Sequence, residues 1–211
     1  FRPGEIVDAD IMVNTRDFTF STPTHPGPVG SFDLQSLATH EFGHVFGFSH
    51  TPVKGSTMFY VLPRGTDAST LEADDLVLAR RGYATPEPTL TLEGRVLRPD
   101  GTTPVTGAAL LAIAEAAGDT AQMTISGPDG SYRFYDLAEN FRVYTLPLDG
   151  SEYVNGLDAA AVNTDLEQVA EIDFLAEFWD GAAETNADFG APGFVVVPTG
   201  VPVTGADIIV N

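Results

Sequence analysis

Three of the chain's four histidines stand within eleven residues, in His40-Glu41-Phe42-Gly43-His44-Val45-Phe46-Gly47-Phe48-Ser49-His50. Residues four apart share one face of a helix, so the imidazoles of His40 and His44 can bind a single ion. Glu41 is offset by one position. It can reach a water at the ion's open site without being a ligand itself. Gly47 lets the chain leave the helix sharply, and His50 returns as a third nitrogen donor. Three neutral imidazoles suit Zn²⁺, and a set of three leaves one coordination position open, the mark of a catalytic rather than a structural site. The chain has no cysteine, which excludes disulfides, thiolate ligands and cysteine nucleophiles and leaves histidine as the donor set. His25 lies in a proline-rich loop and reads as a solvated side chain.

The elements that must hold this constellation are legible around it. A helix is predicted from Asp33, a suitable N-cap, to Phe46, with Gly47 as its left-handed stop. Glu5 to Asn14 (EIVDADIMVN) reads as a strand, and Ser21 to Gly30 as loop. A second helix is predicted to open at Ser69, with Glu72 completing a capping box, and to close near Arg81-Gly82. Residues 85–88 (Thr-Pro-Glu-Pro) read as a linker that divides the chain into residues 1–84 and 89–211. The second segment is predicted to be all-β. Leu90 to Leu97 and Ser131 to Tyr135 alternate, and Pro99-Asp-Gly and Pro128-Asp-Gly are turns. Pro104-Val-Thr-Gly-Ala and Pro202-Val-Thr-Gly-Ala are matching lead-ins to two strands. The alanine-rich stretch from Asn155 to Glu177 reads as partly helical.

The charge divides the same way. Of 211 residues, 30 are acids and 10 are bases, giving a net charge of −20 with Lys54 the single lysine. Residues 1–85 carry six bases and ten acids; residues 86–211 carry four and twenty. Such an excess excludes a nucleic-acid backbone or an anionic membrane surface as partner, since both require positive charge. No apolar run approaches the ~18 residues that span a bilayer. The acidity of the second segment reads as a solvated surface, with cation binding by Asp149, Glu152 and Asp158 as the sharper alternative. A chain that opens at Phe1 reads as a processed or trimmed product.

HEFGHVFGFSH resembles the zinc signature of the metzincin metallopeptidases, H-E-x-x-H-x-x-G-x-x-H. Met58, in Gly55-Ser-Thr-Met-Phe, stands where metzincins carry a methionine turn beneath the zinc, at the spacing of the matrixin branch. Leu71-Glu-Ala-Asp-Asp-Leu resembles the matrixin closing helix. The resemblance implies that Asp74 and Asp75 help hold the methionine turn, with Gly47 and Met58 as further structural support. It also implies that Asp8-Ala-Asp-Ile is an edge strand beside the substrate, and that Ser36 with Tyr60, Val61, Leu62 and Pro63 bounds an open substrate pocket. The match covers roughly half of a matrixin catalytic domain, an α+β partial domain. Most of residues 89–211 resembles the carboxypeptidase regulatory-like, CnaB-like β-sandwich of secreted bacterial proteins, of immunoglobulin/transthyretin type. This rests on Gly94-Arg-Val-Leu, Gly130-Ser-Tyr-Arg-Phe-Tyr-Asp-Leu and Phe178-Trp-Asp-Gly-Ala. A lysine–asparagine crosslink within that domain is ruled out, because Lys54 lies outside it.

Together these readings imply a secreted zinc-dependent endopeptidase acting on protein or peptide substrates. Zn²⁺ would sit on His40, His44 and His50, Glu41 would be the general base, and Ca²⁺ is a further ion the resemblance brings with it. The alternative is a non-catalytic binding or adhesion protein that retains a protease remnant. The sequence leaves the oligomeric state open.

Overall fold

Asp33 starts the helix that carries the histidines. In the computed structural model, which describes residues 6–62, 64, 68–83, 89–114, 120–137, 140–151, 156–162, 164–179 and 201–211, helix α1 runs over Leu34–Val45. The Asp33 carboxylate accepts the backbone N–H of Ser36 at 2.7 Å and its hydroxyl at 3.0 Å, satisfying an otherwise orphaned donor of the first turn. At the other end Gly47 adopts φ +85°, donates to His44 O at 2.9 Å, and lets Phe48 donate to Gly43 O at 2.9 Å. This pair of bonds is the Schellman stop. Before α1, strand β1 (Phe20–Ser21) pairs in parallel with β2 (Phe32–Asp33).

The predicted strand over residues 5–14 forms no ladder among its described residues, 6–14. Residues 6–14 are exposed and pair with no described strand. A strand is held by a neighbour's hydrogen bonds, and the described residues of this segment supply only the two-residue β1–β2 pair. Helix α2 spans Ala73–Tyr83, so the predicted start at Ser69 is also corrected. The capping box lies one turn later. Glu72 O accepts the first helical bond from Leu76 N, and the Asp75 carboxylate reaches back to Glu72 N at 2.9 Å. Asp75 is already anchored elsewhere in the fold, and that anchor sets where the helix begins.

Residues from 89 onward build two sheets. Strand β3 (Leu90–Leu97) lies between β6 (Ser131–Tyr135), antiparallel, and β9 (Ile208–Ile209), parallel. The other sheet has the order β5 (Thr120–Ile125), β4 (Ala109–Ala114), β7 (Phe141–Leu146), β8 (Glu177–Phe178), antiparallel throughout. Leu92, Val96, Phe134 and Ile208 of the first sheet share one buried cluster with Leu110, Phe141 and Val143 of the second. The intervening β4 positions, Ala109 and Leu111, face a second cluster formed with Leu148, Leu157, Ala159 and Val162. Burial on both faces explains the unbroken apolar run of β4. The alanine-rich stretch forms two short helices, α3 (Ala159–Val162) and α4 (Thr164–Glu167). The two matching lead-ins flank β3, where Pro104 bridges Leu97 and Val203 bridges Leu92.

The two halves touch directly. Asp74 Oδ1 accepts Met123 N at 3.1 Å, Arg80 pairs with Asp136 at 2.5 Å, and the Arg81 guanidinium lies 4.9 Å from the Tyr135 ring centre. Tyr60 packs against the second apolar cluster. The predicted linker at residues 85–88 lies outside the described residues.

Candidate metal centre

Helix α1 presents His40 and His44 from one face, and the turn at Gly47 brings His50 back to them. Nε2 of His50 lies 3.3 Å from Nε2 of His40 and 3.2 Å from Nε2 of His44. Each ring's other nitrogen faces a backbone carbonyl. His40 Nδ1 is 2.7 Å from Thr57 O, His44 Nδ1 is 2.9 Å from Phe48 O, and His50 Nδ1 is 2.6 Å from Ala161 O. A carbonyl can only accept, so each Nδ1 carries a proton, and in its neutral, ligating form each ring turns an Nε2 lone pair inward. Three lone pairs at these separations repel one another unless a cation lies among them. Tetrahedral zinc with Zn–N bonds of about 2.0–2.1 Å separates its nitrogen ligands by about 3.3 Å, so the three imidazoles fit the ion. Burial lowers the pKa of His40, which favours the neutral, ligating form. Among the described residues, no second group of three or more His, Asp or Glu side chains converges in this way.

Met58 packs against the helix that carries His40 and His44. It is 1% exposed, and its sulfur lies where a side chain on Gly43 would stand, 2.1 Å from a Cβ built there. Gly43, inside the helix, is therefore required by the close approach of Met58. The turn that carries Met58 closes through Thr51 N to Met58 O at 2.9 Å. The buried carboxylate of Asp75 holds it in place. That group accepts Ser56 Oγ at 2.5 Å, Thr57 N at 2.9 Å and Met58 N at 3.2 Å. Thr57, fixed in this way, is the residue whose carbonyl orients His40.

Asp74 does something different from its neighbour. Its carboxyl bonds Thr51 and Met123 N, joining the residue after the third histidine to β5. Complete burial pushes its pKa up to about 7, against the two hydrogen bonds and with the help of the Asp75 charge. In the unfolded chain the group titrates near ~3.9. A raised folded-state pKa contributes stability that is fully present below about pH 4 and is lost as pH rises through about 7. Asp74→Asn keeps an acceptor for Met123 N and cannot ionise. Urea unfolding in the presence of chelator should show it equal to wild type near pH 4 and more stable at pH 8, by a few kcal/mol as an order of magnitude. A difference that stays constant across pH would refute this.

Glu41 is half-buried and lines a cleft of about 230 Å³ together with Ile11, Met12, Val13, Asn14, Leu37 and Leu62. Of the other residues assigned to the substrate pocket, Ser36 is fully buried, bonds to Asp33, and is not part of this cleft. Tyr60 faces the second half, Val61 is exposed, and Pro63 lies outside the described residues. The three carbonyl partners, of Thr57, Phe48 and Ala161, carry no signal in residue type and could not be read from the sequence. Gly43 could have been, as a glycine within a helical pattern.

Residues 1–84 match the family model described as Matrixin, Peptidase_M10. This segment is similar to the matrixin branch of the metzincins. The chain is also similar to "Metalloendoproteinase 4-MMP" of Arabidopsis thaliana, 40% identical over 60 residues, which are 28% of this chain and 17% of that protein. It thus spans less than a fifth of the length of the curated relative it matches. No solved structure matches the chain. Both similarities fall on metallopeptidases.

Proposed function

We propose that this protein is a zinc-dependent endopeptidase. The observation that carries the reading is the convergence of three Nε2 lone pairs, each fixed by a carbonyl on its own Nδ1, beside a glutamate that opens onto a cleft. His40, His44 and His50 would hold the ion. When bound, Zn²⁺ supplies Lewis acidity, polarising a water and a peptide carbonyl. A Glu41 carboxylate oxygen takes the proton from the attacking water and passes it to the departing amine. Residues 11–14, which pair with no described strand, form one wall of the cleft and offer backbone groups to an extended peptide. Apolar side chains along the cleft, Ile11, Val13, Phe18 and Phe20 among them, suit a substrate with large apolar residues. We assign residues 89–211 to an immunoglobulin/transthyretin-type sandwich, supported by the two sheets that share one core. The resemblance of that half to secreted bacterial proteins supports an extracellular setting.

The test is cleavage of a quenched fluorescent peptide library by the purified, zinc-loaded chain. Turnover should disappear with 1,10-phenanthroline and return on adding Zn²⁺. Cleavage indifferent to the chelator would refute the metal mechanism. Stoichiometric zinc binding without any cleavage would refute the enzyme and support a binding protein that retains the metal site.

A further inference from the structure

Two of the three ligand histidines take their Nδ1 partner from the matrixin-like segment itself, His40 from Thr57 and His44 from Phe48. The third does not. His50 Nδ1 donates to the carbonyl of Ala161, 111 positions away in sequence and beyond both the predicted linker and the first five strands of the second half. We infer that Ala161 is a positioning residue for the third metal ligand, so that residues 89–211 complete the metal centre and are not an appendage to it. The inference rests on the metal reading of the three histidines and goes beyond it.

The surroundings show how the carbonyl is held. Ala161 sits in α3, which is capped by the exposed Asp158, whose Oδ1 accepts Ala161 N at 2.7 Å. Leu157, Ala159 and Val162 on either side are buried against Ala109, Leu111 and Leu146 of the four-stranded sheet. The same sheet is joined to the matrixin-like segment by Met123 N on Asp74, and Asp74 in turn bonds Thr51, next to His50. His50 is therefore located from two sides by the second half, through α3 and through β5. The chemistry asked of Ala161 is modest. An acceptor at Nδ1 fixes the ring's tautomer and orientation and raises the basicity of Nε2, and loss of such a partner typically costs 10–100-fold in metal affinity.

The experiment follows the imidazole Nδ1–H resonances of the zinc-loaded full chain by ¹⁵N-edited NMR, and zinc affinity by competition with a chromophoric chelator. Wild type should show three slowly exchanging Nδ1–H signals. Two variants act on the His50 partner and touch neither Thr57 nor Phe48, the partners of His40 and His44, although each also removes a hydrogen bond within α3. One is Asp158→Ala, which uncaps α3; the other replaces the Ala161–Val162 amide by an ester, which weakens the Ala161 carbonyl as an acceptor. The His50 signal should broaden or vanish in both while those of His40 and His44 persist, and zinc affinity should fall about 10–100-fold. Asp158→Asn, which keeps the capping oxygen, should restore both readouts. If both variants retain the His50 signal and bind zinc within about twofold of wild type, the inference is overturned. Equal loss of all three signals would make the effect a general loosening and would overturn it as well. Neither readout depends on turnover. Wild type that binds zinc with three protected signals and cleaves nothing would end the peptidase reading and leave this one standing. Wild type that binds no zinc would end both.

Discussion

Glu41→Ala is expected to lower peptide turnover by about three orders of magnitude while leaving zinc stoichiometry at its wild-type value. The expectation divides the centre into parts that hold and a part that reacts. The group of converging ligand atoms consists of His40, His44 and His50 and does not include Glu41. Each histidine is oriented by a carbonyl that the substitution does not touch. Removal of the carboxylate should therefore leave the binding of the ion intact. What is lost is a proton acceptor on the wall of the cleft, and general acid–base groups contribute roughly 10²–10⁴-fold. Since Glu41 shares that cleft with Ile11 to Asn14 and Leu62, packing is the competing explanation. Glu41→Gln separates the two, because it keeps the shape and removes the basicity. The proton-transfer reading requires Gln to be as slow as Ala, with the loss in kcat and little change in KM. A Gln variant near wild-type rate would assign Glu41 to the cleft's shape and refute its role as base. Loss of zinc along with activity would make it part of the binding apparatus instead.

How much of this was legible depended on whether the determining contact was local. Helix α1 was readable to within a residue at both ends because Asp33 and Gly47 do their capping within four or five positions of themselves. The histidine triad was readable because a helix and one sharp turn are enough to bring the three rings together. The start of α2 was misplaced for the opposite reason. Asp75 closes the box at Glu72 while tied to residues 56–58, a tertiary contact that propensity at Ser69 does not contain. The expected edge strand failed at the same level, since residues 6–14 can form a strand only when a partner is present. Asp74 and Asp75, adjacent and chemically identical, were read as a pair with one task. The fold turns Asp75 to the methionine turn and Asp74 to Thr51 and β5. The bond from His50 to Ala161 was invisible, because it uses a backbone carbonyl on another part of the chain.

Asp75→Ala carries the largest stability effect expected of any single change at this site. The carboxylate is 2% exposed and accepts from four donors: Ser56 Oγ, Thr57 N, Met58 N and Glu72 N. An alanine there offers no acceptor, and a buried donor left unsatisfied costs about 1–3 kcal/mol. The Ser56 hydroxyl can rotate toward another partner, and Glu72 at the start of α2 is exposed enough to be solvated. Thr57 N is buried and has neither option, while Met58 N keeps only its longer bond to Ser56 Oγ at 3.3 Å, so the net loss should be about 2–4 kcal/mol. Asp75→Asn should rescue little, because its amide turns one acceptor into a donor among groups that all donate. Urea unfolding of the metal-free protein measures the loss directly. A second consequence follows from Thr57, whose carbonyl orients His40: slack in residues 56–58 frees that ring, and zinc affinity should fall with stability. Excess zinc should then recover part of the lost stability by binding the folded state alone, in proportion to the logarithm of its concentration. An Asp75→Ala protein within about 1 kcal/mol of wild type would show that the methionine turn is held by the packing of Met58 against Gly43, with the carboxylate incidental to it.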